Sequence, residues 1–148
     1  MRANVRCVRA RLIRRAHACG LKLAISTTSS RVNIGELIEP TLGRDGFGLF
    51  EAVVAGEDVL AKKPAPDAYL RVLELLALPP AECLAFEDSR NGLLSARAAG
   101  LEAIVTPSLY TRHERFDGAA MVLPDLSGFE PPADGFAFGA APGSMTSR

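Results

Sequence analysis

Three short polar clusters in this chain carry the residue types that handle phosphate. Ser26-Thr27-Thr28-Ser29-Ser30 closes the apolar run 21–26 (LKLAIS). A hydroxyl there, followed by backbone N–H groups opening a helix, can cradle a phosphate oxygen. The same run is equally an ordinary helix cap. Lys62-Lys63-Pro64-Ala65-Pro66-Asp67 follows the apolar run 50–55 (FEAVVA) by a short loop. Two prolines restrict that loop, so a lysine in it directs a fixed positive charge. The compact ammonium suits phosphate; a solvated lysine pair ahead of a helix is the plainer alternative. Phe86-Glu87-Asp88-Ser89 ends a third apolar run, 83–86 (CLAF). Adjacent carboxylates after a buried strand are costly unless a cation or hydrogen bonds compensate. Magnesium takes hard oxygen ligands, often one or two carboxylates with water and phosphate completing the octahedron. Asp88 as a simple helix cap is the competing reading.

The elements that must position these clusters alternate along the chain. The runs 21–26, 50–55, 83–86 and 103–106, with 120–123 as a weaker fifth, are short and nearly continuously apolar. That pattern predicts strands covered on both faces, as in a parallel sheet. Between them lie helical patterns. Ser29 or Ser30 caps a helix expected to run towards Ile38 and stop before Pro40. Pro66 and Asp67 open the next, with Tyr69, Leu70, Leu73 and Leu76 at helical spacing and Pro79-Pro80 closing it. Asp88 or Ser89 starts another, which carries Leu93, Leu94, Arg97 and Ala98 and ends at Gly100. The order predicts an α/β three-layer sandwich of right-handed βαβ units with a mainly parallel sheet. In such sheets ligands bind beyond the carboxyl ends of the strands, where all three clusters fall.

At the N-terminus, Arg2, Arg6, Arg9, Arg11, Arg14 and Arg15 occur with no acidic residue among them. Such a stretch can be a transit peptide or basic arm. Val5, Val8, Leu12 and Ala16 recur at helical spacing, however, and Gly20 sits where a helix C′ residue belongs, directly before a strand. We therefore expect an amphipathic helix. Residues 1–126 are expected to form one partial core domain. The Gly-, Pro- and Ala-rich stretch 127–148 is expected to be a disordered tail, with docking of Phe129, Phe136 and Phe138 as the alternative.

Formal net charge is zero, so nothing global points to nucleic acid or an anionic membrane surface. No apolar run approaches the ~20 residues that span a bilayer. Three scattered cysteines, Cys7, Cys19 and Cys83, without a CxxC pair, suit buried thiols in a reducing cytoplasm.

Taken together, the order strand-Thr, Lys-Pro, strand-Glu-Asp resembles the haloacid dehalogenase superfamily, whose fold is a Rossmann-like sandwich. The resemblance implies that Thr27, with Thr28, contacts phosphate and that Lys63 binds the phosphoryl group and the nucleophile. It likewise makes Asp88 a Mg2+ ligand and Glu87 its partner. The KPxPD form resembles the subgroup of β-phosphoglucomutases and small sugar-phosphate phosphatases. Over roughly residues 9–126 the chain is similar to CbbY-like phosphatases, on Ala55-Gly56-Glu57-Asp58, Ala61 to Asp67 and Tyr110-Thr111-Arg112-His113-Glu114. This implies a hydrolase that removes phosphate from a sugar bisphosphate such as xylulose-1,5-bisphosphate. The 110–114 segment is expected either near the site mouth or, for Arg112 and His113, on a surface loop. A phosphomutase uses the same motifs; a noncatalytic phosphate- or protein-binding module is the alternative of another class.

The resemblance also implies an aspartate nucleophile and an acid–base aspartate in a DxD motif at the end of a central strand, followed by a helical cap. No DxD pair occurs among the 148 residues. The matched region starts at the helix before the Thr27 strand. The expectation is a chain without the central strand and cap, by truncation, frameshift or late start, poorly stable and nearly inactive as a phosphatase. Two strand edges are then either unpaired or paired with each other.

Overall fold

The computed structural model describes residues 5–130, with side chains from residue 10 onward. Helix α1 (Val5–Ala18) leads into strand β1 (Ala24–Ser26), helix α2 (Arg31–Leu42) and strand β2 (Ala52–Val54). Helix α3 (Asp67–Leu76), strand β3 (Leu84–Glu87), helix α4 (Arg90–Ala98), strand β4 (Glu102–Val105) and strand β5 (Met121–Val122) follow. Short 3-10 turns lie at Arg44–Leu49, Gly56–Asp58 and Pro80–Glu82.

Local chemistry sets the helix ends. Gly20 takes a left-handed φ of 79°. Its N–H bonds to the His17 carbonyl (3.0 Å) and that of Leu21 to Ala16 (3.1 Å), which closes α1 in a Schellman turn. Ser30, rather than Ser29, caps α2 by accepting the Asn33 N–H, and Ser89, rather than Asp88, caps α4 by accepting that of Gly92. The expected stop before Pro40 is overturned, because α2 continues to Leu42. Proline there forgoes its own hydrogen bond and crowds the carbonyl four residues back, but only the last turn lies beyond it. Three contacts compensate: Leu42 is buried, the Gly43 N–H reaches the Glu39 carbonyl at 2.9 Å, and Arg14 donates to the Leu42 carbonyl at 2.6 Å.

The strands are parallel, as expected, but they form two half-sheets. β1 pairs with β2, matching Ala24 to Ala52 and Ser26 to Val54. β3, β4 and β5 form the other, with Leu84 opposite Glu102 and Ile104 opposite Met121. Helices α1 and α2 cover one face of the first half-sheet through Ile13, Ile34, Ile38 and Leu42. Helix α3 covers its other face and, with α4, one face of the second half-sheet, through Tyr69, Val72, Leu73, Leu93 and Ala96.

Between the half-sheets runs an open cleft of about 700 Å3 whose walls include Ala24, Ser26, Val72, Leu73, Ala85 and Phe86. Among the described residues no strand pairs with the cleft-side edge of β1 or of β3. The edges are thus left unpaired rather than joined. This explains why Phe86, in a continuously apolar run, is 39% exposed and why all three residues of β1 are only half-buried. Phe129 stacks edge-on against Phe86 at 5.4 Å, Glu130 pairs with Arg15, and Arg11 donates to the Ser127 carbonyl. Residues 127–130 therefore contact the body, while Phe136 and Phe138 lie outside the described residues.

Candidate active site

The carboxyl ends of β1 and β3 converge on one side chain. Lys63 donates to the Ser26 carbonyl at 3.1 Å and to the Glu87 carboxylate at 2.5 Å, bridging the cleft at its polar end. Both side chains of this ion pair are about nine-tenths buried (10% and 8% exposed). Tyr69, from the first turn of α3, donates its phenol O–H to the same Glu87 oxygen, and the Lys63 ammonium lies 4.6 Å from the Tyr69 ring centre. Burial pushes the Tyr69 phenol well above its ordinary pKa, and the Glu87 charge and hydrogen bond raise it further.

The loop carrying Lys63 is fixed at several points. The Ala65 N–H bonds to the Lys62 carbonyl at 3.0 Å, and the fully buried Ser95 of α4 donates its hydroxyl to the Ala65 carbonyl at 2.7 Å. The Lys63–Pro64 peptide is cis. Lys62, by contrast, is exposed. Of the two lysines offered by the sequence, only Lys63 points a held charge into the site.

Two glycines permit the close approaches. A Cβ on Gly92 would overlap the Glu87 carboxylate, so the helix start can lie against that buried acid only without a side chain. A Cβ on Gly56 would overlap the Thr28 carbonyl, where the Gly56 N–H reaches the Ser29 carbonyl at 2.9 Å.

Thr27, Thr28, Lys63, Glu87 and Asp88 line one polar pocket of about 350 Å3 together with Ser26, Ser89, Asn91 and Gly92. All five residues singled out in the sequence are thus brought together. Their environments differ. Thr27 is half-buried; its N–H bonds to the Val54 carbonyl (3.0 Å) and its hydroxyl accepts the Ser29 N–H (3.1 Å), leaving the O–H to donate into the pocket. Thr28 and Asp88 are exposed. Glu87 is enclosed in the ion pair. The adjacent acids therefore do different things, one fixing Lys63 and one lining the pocket and its mouth.

The sequence did not single out Tyr69, Asn91 or Ser95 for the site, and it named Ser26 only as the first member of its cluster. Tyr69 read as one more apolar position on α3, although a phenol in a buried turn usually finds a polar partner. The Ser26 hydroxyl is buried with no hydrogen-bond partner in the structure, at the end of the strand edge that borders the cleft. Arg112 and His113 are exposed on the connection after β4. For a metal, the donor set is of the hard-oxygen kind magnesium takes, two carboxylates with nearby hydroxyls. Among the described residues no third His, Cys, Asp or Glu joins them.

The family model that matches this chain is that of haloacid dehalogenase-like hydrolases, over residues 8–100. The chain is 57% identical over 118 residues to protein CbbY of Rhodobacter capsulatus, covering 80% of this chain and 52% of that one. It is similar in structure to CbbY from Rhodobacter sphaeroides in complex with phosphate, at a TM-score of 0.78 and 42% identity, covering 80% of this chain and 53% of that one. A mutant of that protein, in complex with xylulose-(1,5)bisphosphate, matches with the same TM-score, identity and coverage. The chain spans about half the length of the curated relatives it matches. On the matched model, the shared identity and the shared fold, the chain belongs to the haloacid dehalogenase-like hydrolases.

Proposed function

We propose that this chain holds the phosphate- and magnesium-binding half of a CbbY-type sugar-phosphate phosphatase site. The observation that carries the reading is the convergence of the Thr27 hydroxyl, the buried Lys63 ammonium and the Asp88 carboxylate in one pocket at the strand ends. Thr27 donates to a phosphoryl oxygen. Lys63, fixed by Glu87 and the Ser26 carbonyl, presents its remaining N–H to another. Backbone N–H groups and the Ser89 cap at the start of α4 favour negative charge nearby.

Asp88 is the carboxylate proposed to hold Mg2+, with phosphate and water oxygens as the other ligands; Glu87 supports it indirectly, by orienting Lys63. The ion would supply charge neutralisation at the phosphoryl group. The substrate class we assign is a small phosphorylated sugar like the xylulose bisphosphate bound by the Rhodobacter sphaeroides relative. A phosphomutase would use the same groups. Cys19 is exposed rather than buried as expected, but scattered cysteines without a CxxC pair favour a cytoplasmic setting, and the zero net charge gives no reason to invoke nucleic acid or membrane.

Turnover needs a nucleophile, which the resemblance places on a central strand that the described residues do not contain. The open cleft is where such a strand fits. It runs between the unpaired edges of β1 and β3, both of which such a strand could pair with. We therefore propose that this chain alone is nearly inactive. The same cleft favours a second reading, a noncatalytic module that accepts a strand on its open edges.

Calorimetry with Mg2+ and inorganic phosphate tests the half-site. Binding that is weakened by Asp88→Asn for the metal and by Lys63→Met for phosphate is expected. Binding of neither, or binding indifferent to both substitutions, would remove the basis of the proposal.

A further inference from the structure

The connection from β4 to β5 does not simply pass over the surface; it folds back onto the start of α4. The Thr111 hydroxyl donates to the Asp88 carbonyl and accepts the Ser108 N–H at 2.9 Å. Three residues on, Glu114 accepts the N–H of Arg90, the first residue of α4, at 2.6 Å. Arg90 reciprocates by donating its guanidinium to the Arg115 carbonyl at 3.3 Å. Phe116 packs on the core formed by α3, α4, β3 and β4, which anchors the segment beyond the clasp. Thr111 and Glu114 are half-buried, while Arg112 and His113 between them are exposed.

These bonds bracket Ser89, the residue directly after Asp88. The carbonyl of Asp88 is held from one side, and the N–H two residues later is held from the other. The Ser89 hydroxyl, accepting the Gly92 N–H at 3.1 Å, fixes the peptide between. A carboxylate on an exposed strand end would otherwise sample several backbone orientations at little cost. Groups that orient a ligand-bearing residue commonly matter to metal affinity about as much as weaker ligands do.

We infer that Thr111 and Glu114 are positioning residues, a clasp that sets the backbone of Asp88 and so the direction of its carboxylate towards a divalent cation. The inference rests on the proposed role of Asp88 as the Mg2+-holding carboxylate. It assigns no direct contact with substrate or metal to either residue.

Two readouts test it on the intact chain. The first is Mg2+ affinity by calorimetry for the wild type and for Thr111→Val, Thr111→Ser and Glu114→Ala. The second is amide hydrogen exchange at residues 88–92, with β4 as the reference. We expect Thr111→Val and Glu114→Ala to weaken Mg2+ binding about tenfold. Both should speed exchange at 88–92 while β4 stays protected, and Thr111→Ser should restore both readouts. Unchanged exchange at 88–92 overturns the clasp, as does a loss of protection spread equally to β4. Unchanged Mg2+ affinity despite faster local exchange overturns its link to the metal. A wild type that binds no Mg2+ overturns the role proposed for Asp88, and the exchange readout then still decides whether the clasp exists.

Discussion

Neutralising one partner of the Lys63–Glu87 pair should cost far more than neutralising both. Two unit charges 2.5 Å apart attract by roughly 6–7 kcal/mol at an effective dielectric near 20. Desolvating two ions costs several kcal/mol each, so the intact pair contributes little net stability. A lone remnant is different. In Lys63→Met the Glu87 carboxylate stays buried and keeps the Tyr69 hydroxyl as a hydrogen-bond donor. In Glu87→Gln the ammonium stays buried and loses the one salt-bridge partner it has among the described residues. Each change should cost about 3–5 kcal/mol, a large part of the ~5–15 kcal/mol that holds a domain together. The double variant keeps an amide oxygen for Tyr69 and leaves no buried charge, so its cost should be only about 1–2 kcal/mol. Urea denaturation followed by circular dichroism measures all four proteins. The expected result is a coupling of at least ~3 kcal/mol with an unchanged denaturant slope. Single variants each within ~1 kcal/mol of wild type, adding without coupling, would show that the pair is solvated and that Lys63 does not present a fixed charge.

Three further perturbations probe the elements around the site. Gly92→Ala should displace the Glu87 carboxylate and cost about 1–3 kcal/mol through overpacking, read by urea denaturation; neutrality would show that Glu87 does not lie against the helix start. Pro40→Ala should stabilise the chain by about 1–3 kcal/mol, because it restores an N–H in the last turn of α2; no gain would mean the helix ends before it. In a Tyr110→Phe background, Tyr69 should resist ionisation beyond the ordinary phenol range. Its folded pKa is raised, so its contribution to stability is present below about pH 10 and lost as pH climbs from there through the folded value. A phenolate absorbance titrating near pH 10 in the still-folded protein would contradict that burial.

Much of this was readable beforehand because local rules and tertiary structure agree. The apolar runs became parallel strands, Gly20 and Gly100 took positive φ at helix ends, and the three clusters met in one pocket. What stayed hidden depends on distant partners. The survival of α2 past Pro40 required Arg14 from α1 to take up the Leu42 carbonyl. The division of labour between Glu87 and Asp88 depends on where Lys63 and Tyr69 arrive from two other elements, which adjacency along the chain does not encode. The docking of Phe129, expected only as the alternative to a disordered tail, depends on Phe86 being exposed by the cleft. The sequence did warn of unpaired edges, but only the fold shows that they stay apart and leave an open cleft between them.

The decisive assay is Mg2+-dependent phosphate release from xylulose-1,5-bisphosphate by this chain, alone and mixed with the half of the Rhodobacter capsulatus relative that it does not match. The chain alone should release no phosphate above the protein-free rate. The mixture should release it, with activity lost on chelation of Mg2+ and in Asp88→Asn. Robust turnover by the chain alone would contradict the account, as would a mixture that assembles into one complex and stays inactive.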